Sequence, residues 1–391
     1  MRKLTGKARA YPWGSRELIP RLRGEEPADR PVAELWYGAH PAEPSLVDGE
    51  GVELDRLIAA DPEAALGERV AERFGGRLPF LVKFLAAAEP LSLQAHPTTA
   101  QARAGFAREN DEGIALDAPN RNYKDDSHKP ELIIALTEFR AMVGFRPVDE
   151  TLELFAAIDC PEAERYVGML EPGDDADSGL RGLFTTWITI PGSRRRELID
   201  AIVARLEGLR GRGDWIGAVA REVIALQERY PGDVGVLGAL LLNHVTLNPG
   251  EAAYLEAGQL HAYVSGLGVE VQANSDNVLR GGLTAKYVDV PELVHVLDFR
   301  PLAEPRVAAT DCGSYPVPAA EFSVRHVDGS AGEARFEIDG PVIAACSAGE
   351  VEIATAAGER LSLSAGQAAW LAADEGSATL AGDGEAFWVT C

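Results

Sequence analysis

The chain has 391 residues, with 61 acidic against 37 basic side chains and a net charge of −24. A surface this acidic makes nucleic acid and anionic membrane poor partners, and no apolar run is long enough to span a bilayer. At 46% hydrophobic and 25% charged residues the composition is globular, and the length asks for two or three domains. The start, MRKLTGKARAYPWGS, lacks the apolar stretch of a signal peptide, so a cytoplasmic location is expected; separately, the chain is expected to be a monomer. Cys160, Cys312, Cys346 and Cys391 are scattered, with no CxxC pair, and read as buried or inert thiols.

Up to about residue 150 strands mix with short helices. LIAADPEAALGERVAERF (57–74) reads as helix, and FLVKFLA, LSLQAH, ELIIALT and FRAMVGF read as strands. In LSLQAHP, Gln94 and His96 are two apart, so on a strand they project from one face. From about 150 to 230 the period becomes helical. In SRRRELIDAIVARLEGL, Leu198, Ile199, Ile202, Val203, Leu206 and Leu209 form one stripe, with Ser193 as expected N-cap. YPGD ends this insert, and strands separated by Gly, Asp and Asn turns run to the C-terminus. VTLNPGEAAYLEA (245–257) and LSLSAGQAAWLAA (361–373) share six of thirteen positions, which suggests two related β-units. Only the first is followed by a His, His261, where the second has Ser377. The second unit is expected to bind no ligand, with Trp370 and Leu371 filling its core.

Three stretches carry chemistry. Gln94 and His96 are the first. In YKDDSHKPELIIAL, Pro130 argues against a helix and pushes Lys129 toward extended backbone. Lys129 and Glu131 then share a face and His128 points away from it. The third stretch, PGEAAYLEAGQLHAYVSG, resembles the second cupin motif, with Gly250, Gly258 and His261 at the right offsets and Glu256 in place of a Pro. Gln94, His96, Glu131 and His261 together describe a mononuclear metal site on a β-barrel. The donor types leave the metal open, since Fe, Mn or Ni suit mixed N and O ligands as well as zinc does.

YPWGS, ELWYGAHP (34–41), LPFLVKFLAAAEPLSLQAHP (78–97), HKPELIIAL (128–136) and EVQANSDNVLRGGLTAKYVD (270–289) together resemble type I mannose-6-phosphate isomerases, nearly end to end. The resemblance is weaker over about 310–391, and Ala285 stands where the family usually has Pro before Lys286. It implies a mainly β fold of two cupin-like barrels or jelly rolls plus an α-helical domain. The catalytic unit would be 1–150 with 231–300, the helical insert 151–230, and the C-terminal β-domain 301–391.

The resemblance also implies one Zn2+ on Gln94, His96, Glu131 and His261, and a phosphosugar substrate. The cleft would be lined by Trp13, Glu34, His40, Lys83, Ser92 and Lys129 on one side. Tyr263, Glu270, Asp276, Arg280 and Lys286 would line the other. The reaction would move a proton between C2 and C1 through an enediol. Arg280 is the first choice of cation for the developing oxyanion, because it stays charged and presents a planar fork. For the base, Glu270 comes first, His40 second and Lys129 third. Lys83, in an otherwise apolar strand, would face the phosphate with Ser92, Lys286 and Arg280. A non-catalytic sugar-binding cupin would lack a ligand or the Arg280–Lys286 pair, and an oxygenase would need more His. Broader specificity among hexose phosphates stays open.

Overall fold

A computed structural model describes residues 1–171, 173 and 176–391. Its spine is a thirteen-residue strand, His261–Ala273. The second half of that strand pairs antiparallel with Phe80–Ala87 on one side and Glu131–Ala135 on the other. Its first half pairs with Phe139–Phe145 and, through His261, with Gln94 on the short strand Leu93–Ala95. Gly266 sits where the partners change, at φ 124°. A Cβ there would lie 2.6 Å from the Glu138 carbonyl oxygen, so only Gly lets the two sub-sheets meet this closely. Phe80–Ala87 is buried along its whole length, which explains a continuous apolar run rather than an alternating one. Lys83 is the one charge within it.

Two further sheets form the C-terminal unit. One runs Ser314–Tyr315, Ser323–Asp328, Glu385–Thr390, Val342–Ala348 and Ala368–Leu371, and is then extended by Arg2–Thr5, Leu46–Val47 and Val52–Glu53. The first strand of the chain therefore lies in the sheet of its last unit. The other sheet has Ala334–Glu337, Ser377–Gly382, Glu350–Thr355 and Arg360–Ser364. All pairings are antiparallel, and among the described residues they leave open strand orders rather than a closed barrel.

The two repeats fold alike. Leu242–Leu247 turns at Gly250 into Ala252–Leu255, and Arg360–Ser364 turns at Gly366 into Ala368–Leu371. Both glycines have positive φ, 86° and 79°. His261 and Ser377 each open the strand that follows. Trp370 and Leu371 are both buried but face opposite ways, as neighbours on a strand must. Leu371 joins the core between the two C-terminal sheets. Trp370 instead joins Leu4, Phe80, Val82 and Ile343 in the core between the two β-units.

The insert consists of helices Val148–Ile158, Pro161–Val167, Ala176–Thr189, Gly192–Leu206 and Trp215–Arg229, followed by Val234–Ala239. Leu198, Ile199, Ile202 and Leu206 are buried, as the stripe predicts, with Val203 and Leu209 packed at the margin. The cap differs from expectation. Pro191 precedes the first helical residue and Ser193 lies inside the helix, because Pro191 already fixes the entry geometry. Residues 57–74 are likewise not one helix. Pro62 starts a new helix after Asp61, and Gly67 at φ 79° starts another. The insert packs on Leu93, Met142, Phe145 and Leu242, and so stiffens the strand that carries Gln94. Asp233 accepts the backbone N–H groups of both Gly235 and Leu283, at 2.7 Å each, tying the end of the insert to the loop between Arg280 and Lys286.

Candidate active site

His96 and His261 are held in matching ways. The Nδ1 of His96 is 2.7 Å from the Asn277 carbonyl, and that of His261 is 2.9 Å from the Gln259 carbonyl. A carbonyl only accepts, so each Nδ1 carries a proton and Nε2 is the ring atom left to face a metal. Both Nε2 atoms point at one oxygen of Glu131, at 3.4 Å and 3.3 Å. The three donor atoms lie within 4.8 Å of one another, and all three residues are buried. His96 Nε2 is fully buried with no hydrogen-bond partner, a costly arrangement for an imidazole unless a cation takes the lone pair. The register sets Gln94 directly between His261 and Arg280. One carboxylate, two imidazoles and a neighbouring amide fit a zinc ion.

Burial works to raise the Glu131 pKa, but Lys129 and the two imidazoles outweigh it and hold the carboxyl well below the usual range. Burial, opposed by Glu131, pushes His96 down, toward the neutral form a metal requires. Lys129 Nζ sits 2.8 Å from the second oxygen of Glu131, as expected of two residues sharing a face across Pro130. His128 lies on the other side and meets Glu321 at 2.7 Å.

Lys83 stands opposite Glu270 in the register, and its ammonium is 2.7 Å from Glu270 Oε2. It also bonds Gln272 Oε1 and lies 3.9 Å from Glu34. Burial lowers its pKa, but Glu270 and Glu34 raise it more, so Lys83 stays charged and is neutralised by protein carboxylates. Glu34 takes a 2.8 Å hydrogen bond from Trp36 Nε1, and burial moves its carboxyl up despite Lys83. Strict alternation would send His261 and Glu270 to opposite faces. An irregularity in the ladder between Tyr263 and Ser265 shifts the phase. Tyr263 consequently feels both Glu270 and Glu131, and burial drives its phenol far up.

His40 is buried against the edge of Trp36. Its Nδ1 accepts the Ala42 N–H at 3.2 Å, which leaves the proton on Nε2, 3.3 Å from Asp276 Oδ1. Burial raises Asp276, but the His40 contact dominates and brings it to about 2. Trp13 stacks on Tyr11 at 5.5 Å, and Ser92 is half-buried beside the strand of Gln94.

Arg280 and Lys286 have no carboxylate partner among the described residues. Burial lowers Arg280; burial, then Arg280 and Lys124, lower Lys286. In a chain of net charge −24, Arg280 and Lys286 gathered without a carboxylate, with Lys124 close by and shared with Asp276, mark a place for an anion. Lys124 was missed in sequence because Asp125 and Asp126 beside it read as a solvated turn. Trp36, Gln272 and Asn277 were missed as well; Asn277 left only the loop signature NSDN.

Residues 1–148 match the family described as phosphomannose isomerase type I, catalytic domain. The chain is 39% identical to the mannose-6-phosphate isomerase of Escherichia coli (strain K12), over 98% of each chain. It is 35% identical to that of Rattus norvegicus, over 77% of this chain and 73% of the relative. A solved structure of mannose 6-phosphate isomerase from Salmonella typhimurium, bound to substrate and a zinc atom, superposes with TM-score 0.88 at 38% identity. That superposition covers 100% of this chain and 99% of the other.

Proposed function

The chain belongs to the type I mannose-6-phosphate isomerase family, and from that membership we propose that it interconverts mannose-6-phosphate and fructose-6-phosphate with one bound zinc. The observation that carries this reading is the buried, unpartnered Nε2 of His96, aimed with His261 at Glu131 beside a patch of unpaired cations. We assign Gln94, His96, Glu131 and His261 as ligands. Bound there, zinc supplies Lewis-acid polarisation of a substrate oxygen.

The other steps fall to the chain itself. Glu270 is the base that moves the proton between C2 and C1. Lys83 pins its Oε2 and leaves the other oxygen for proton transfer. His40 ranks below it, because its Nδ1 lone pair is taken by Ala42 N–H and its Nε2 carries a proton. That suits His40, held by Asp276, to hydrogen-bonding the sugar as its ring opens rather than to taking the C–H proton. Lys129 is ion-paired with Glu131 and holds the ligand rather than serving as base. Arg280 meets the oxyanion of the enediol. Lys286, Lys124 and Ser92 receive the phosphate, with Arg280 at their border. Lys83, expected at the phosphate, acts on Glu270 instead. Trp13, Glu34 and Tyr263 shape the cleft around the sugar.

We further divide the chain into a catalytic cupin-like unit (1–150 and 231–300), a helical insert (151–230) and a second cupin-like unit (301–391), the last completed by Arg2–Thr5. A cytoplasmic location accords with four unpaired cysteines.

The test is to incubate the zinc-loaded protein with mannose-6-phosphate in D2O and follow the products by NMR. The expected outcome is fructose-6-phosphate carrying solvent deuterium at C1. Deuterium at C1 would support the enediol route over a direct hydride shift, and no conversion would contradict the isomerase reading.

A further inference from the structure

Asn277 is fully buried at the meeting point of the metal ligands and the cation patch. Its side-chain oxygen accepts the backbone N–H of Lys124 at 2.7 Å and of Asp125 at 3.2 Å. Its amide nitrogen donates to the Asp125 carbonyl at 2.9 Å, to Asp125 Oδ1 at 3.1 Å and to the Ser127 carbonyl at 2.8 Å. The hydrogen-bonding capacity of one amide is thereby spent on the loop 124–127. Its own carbonyl is the acceptor that orients His96. Asp125 returns the contact from the loop, accepting from Ser275 Oγ and the Asp276 N–H at 2.8 Å each.

We propose that Asn277 is a positioning residue that joins the loop carrying Lys124 to the carbonyl that orients His96, so that phosphate binding and metal binding depend on one joint. The inference rests on the isomerase reading but goes beyond it. An Asn in a buried turn could equally serve folding alone. The difference lies in what its loss moves. Groups that orient a metal-bound imidazole typically contribute about 10–100-fold to metal affinity. A turn residue with no such role shifts stability and leaves affinity unchanged.

The experiment measures zinc affinity by competition with a chromophoric chelator, together with thermal midpoint and the KM for mannose-6-phosphate. The full chain is compared with N277D, N277A and N274A. N277D keeps the size and the two acceptor bonds but loses the three donor bonds. Asn274 serves as control, since its side chain reaches only the Leu78 carbonyl, at 3.3 Å. D125N reads the same joint from the loop side, in case the Asn277 variants do not accumulate folded.

The expected result is zinc affinity lower by about 10–100-fold in the Asn277 variants or D125N, with KM raised as well, and neither changed beyond about twofold in N274A. Unchanged zinc affinity in folded N277D or D125N would overturn the inference, as would an equal loss in N274A. Failure of the unmodified chain to bind zinc would instead overturn the functional reading beneath it.

Discussion

Lys83 and Glu270 lie directly opposite each other on adjacent antiparallel strands, with ammonium and carboxylate 2.7 Å apart and both side chains buried. An Lys at the centre of an apolar strand is thus accounted for by protein carboxylates, before any phosphate arrives. Lys83→Met should leave Glu270 and Glu34 buried without their counter-ion, at a cost of about 3–5 kcal/mol of stability. It should also remove the partner that pins Glu270 Oε2, so kcat falls while KM changes little. Denaturant unfolding and steady-state kinetics check both. A raised KM with kcat intact would mean that Lys83 holds the phosphate after all.

Removing Lys286 should act in the opposite sense. A charge-assisted hydrogen bond to an anion contributes about 1.5–3 kcal/mol, so Lys286→Ala should raise KM by roughly 10–100-fold and spare zinc binding. Lys124→Ala should behave alike, because its ammonium belongs to the same patch.

The patch also fixes a pH dependence. In the proposed site Lys286 would bind phosphate only while protonated, and burial with neighbouring Arg280 and Lys124 lowers its pKa. Phosphosugar affinity should therefore fall as pH rises through the depressed pKa, earlier than for an ordinary lysine. Lys286→Arg, which stays charged, should keep a low KM further into alkali. A KM profile that is the same in both proteins would remove Lys286 from the phosphate site.

In the C-terminal unit, Leu371→Ala should cost about 2–5 kcal/mol through the cavity it opens between the two sheets. Trp370→Ala should cost about 3–5 kcal/mol and loosen the packing between the β-units. Neither should change zinc affinity. Chemical unfolding read beside chelator titration checks this, and a metal defect in Leu371→Ala would give that unit a role at the site.

Much of this site was legible because short-range rules governed it. Strand alternation suggested one face for Gln94 and His96, although the strand itself ends at Ala95, and Lys129 and Glu131 pair because Pro130 forbids a helix. The cation patch was half legible: Arg280 and Lys286 stood out, whereas Lys124 was hidden beside two aspartates. What sequence could not supply were facts that depend on cross-strand register. The partner of Lys83 is one. The ladder irregularity at Tyr263–Ser265, which brings His261 and Glu270 to one face of the strand, is another. The fold shows the same division. The helical stripe and the repeat followed from local periodicity. The crossing of Arg2–Thr5 into the last sheet did not, because no local pattern records which distant edge a strand will meet.

The most direct test of the central claim is a coupled assay for fructose-6-phosphate formed from mannose-6-phosphate, run on chelator-stripped protein and again after zinc is restored. The account predicts turnover that disappears with the metal and returns with one zinc per chain, and that does not return in His261→Ala. Undiminished turnover in fully stripped protein would contradict it, as would a folded, zinc-loaded chain that leaves mannose-6-phosphate unchanged.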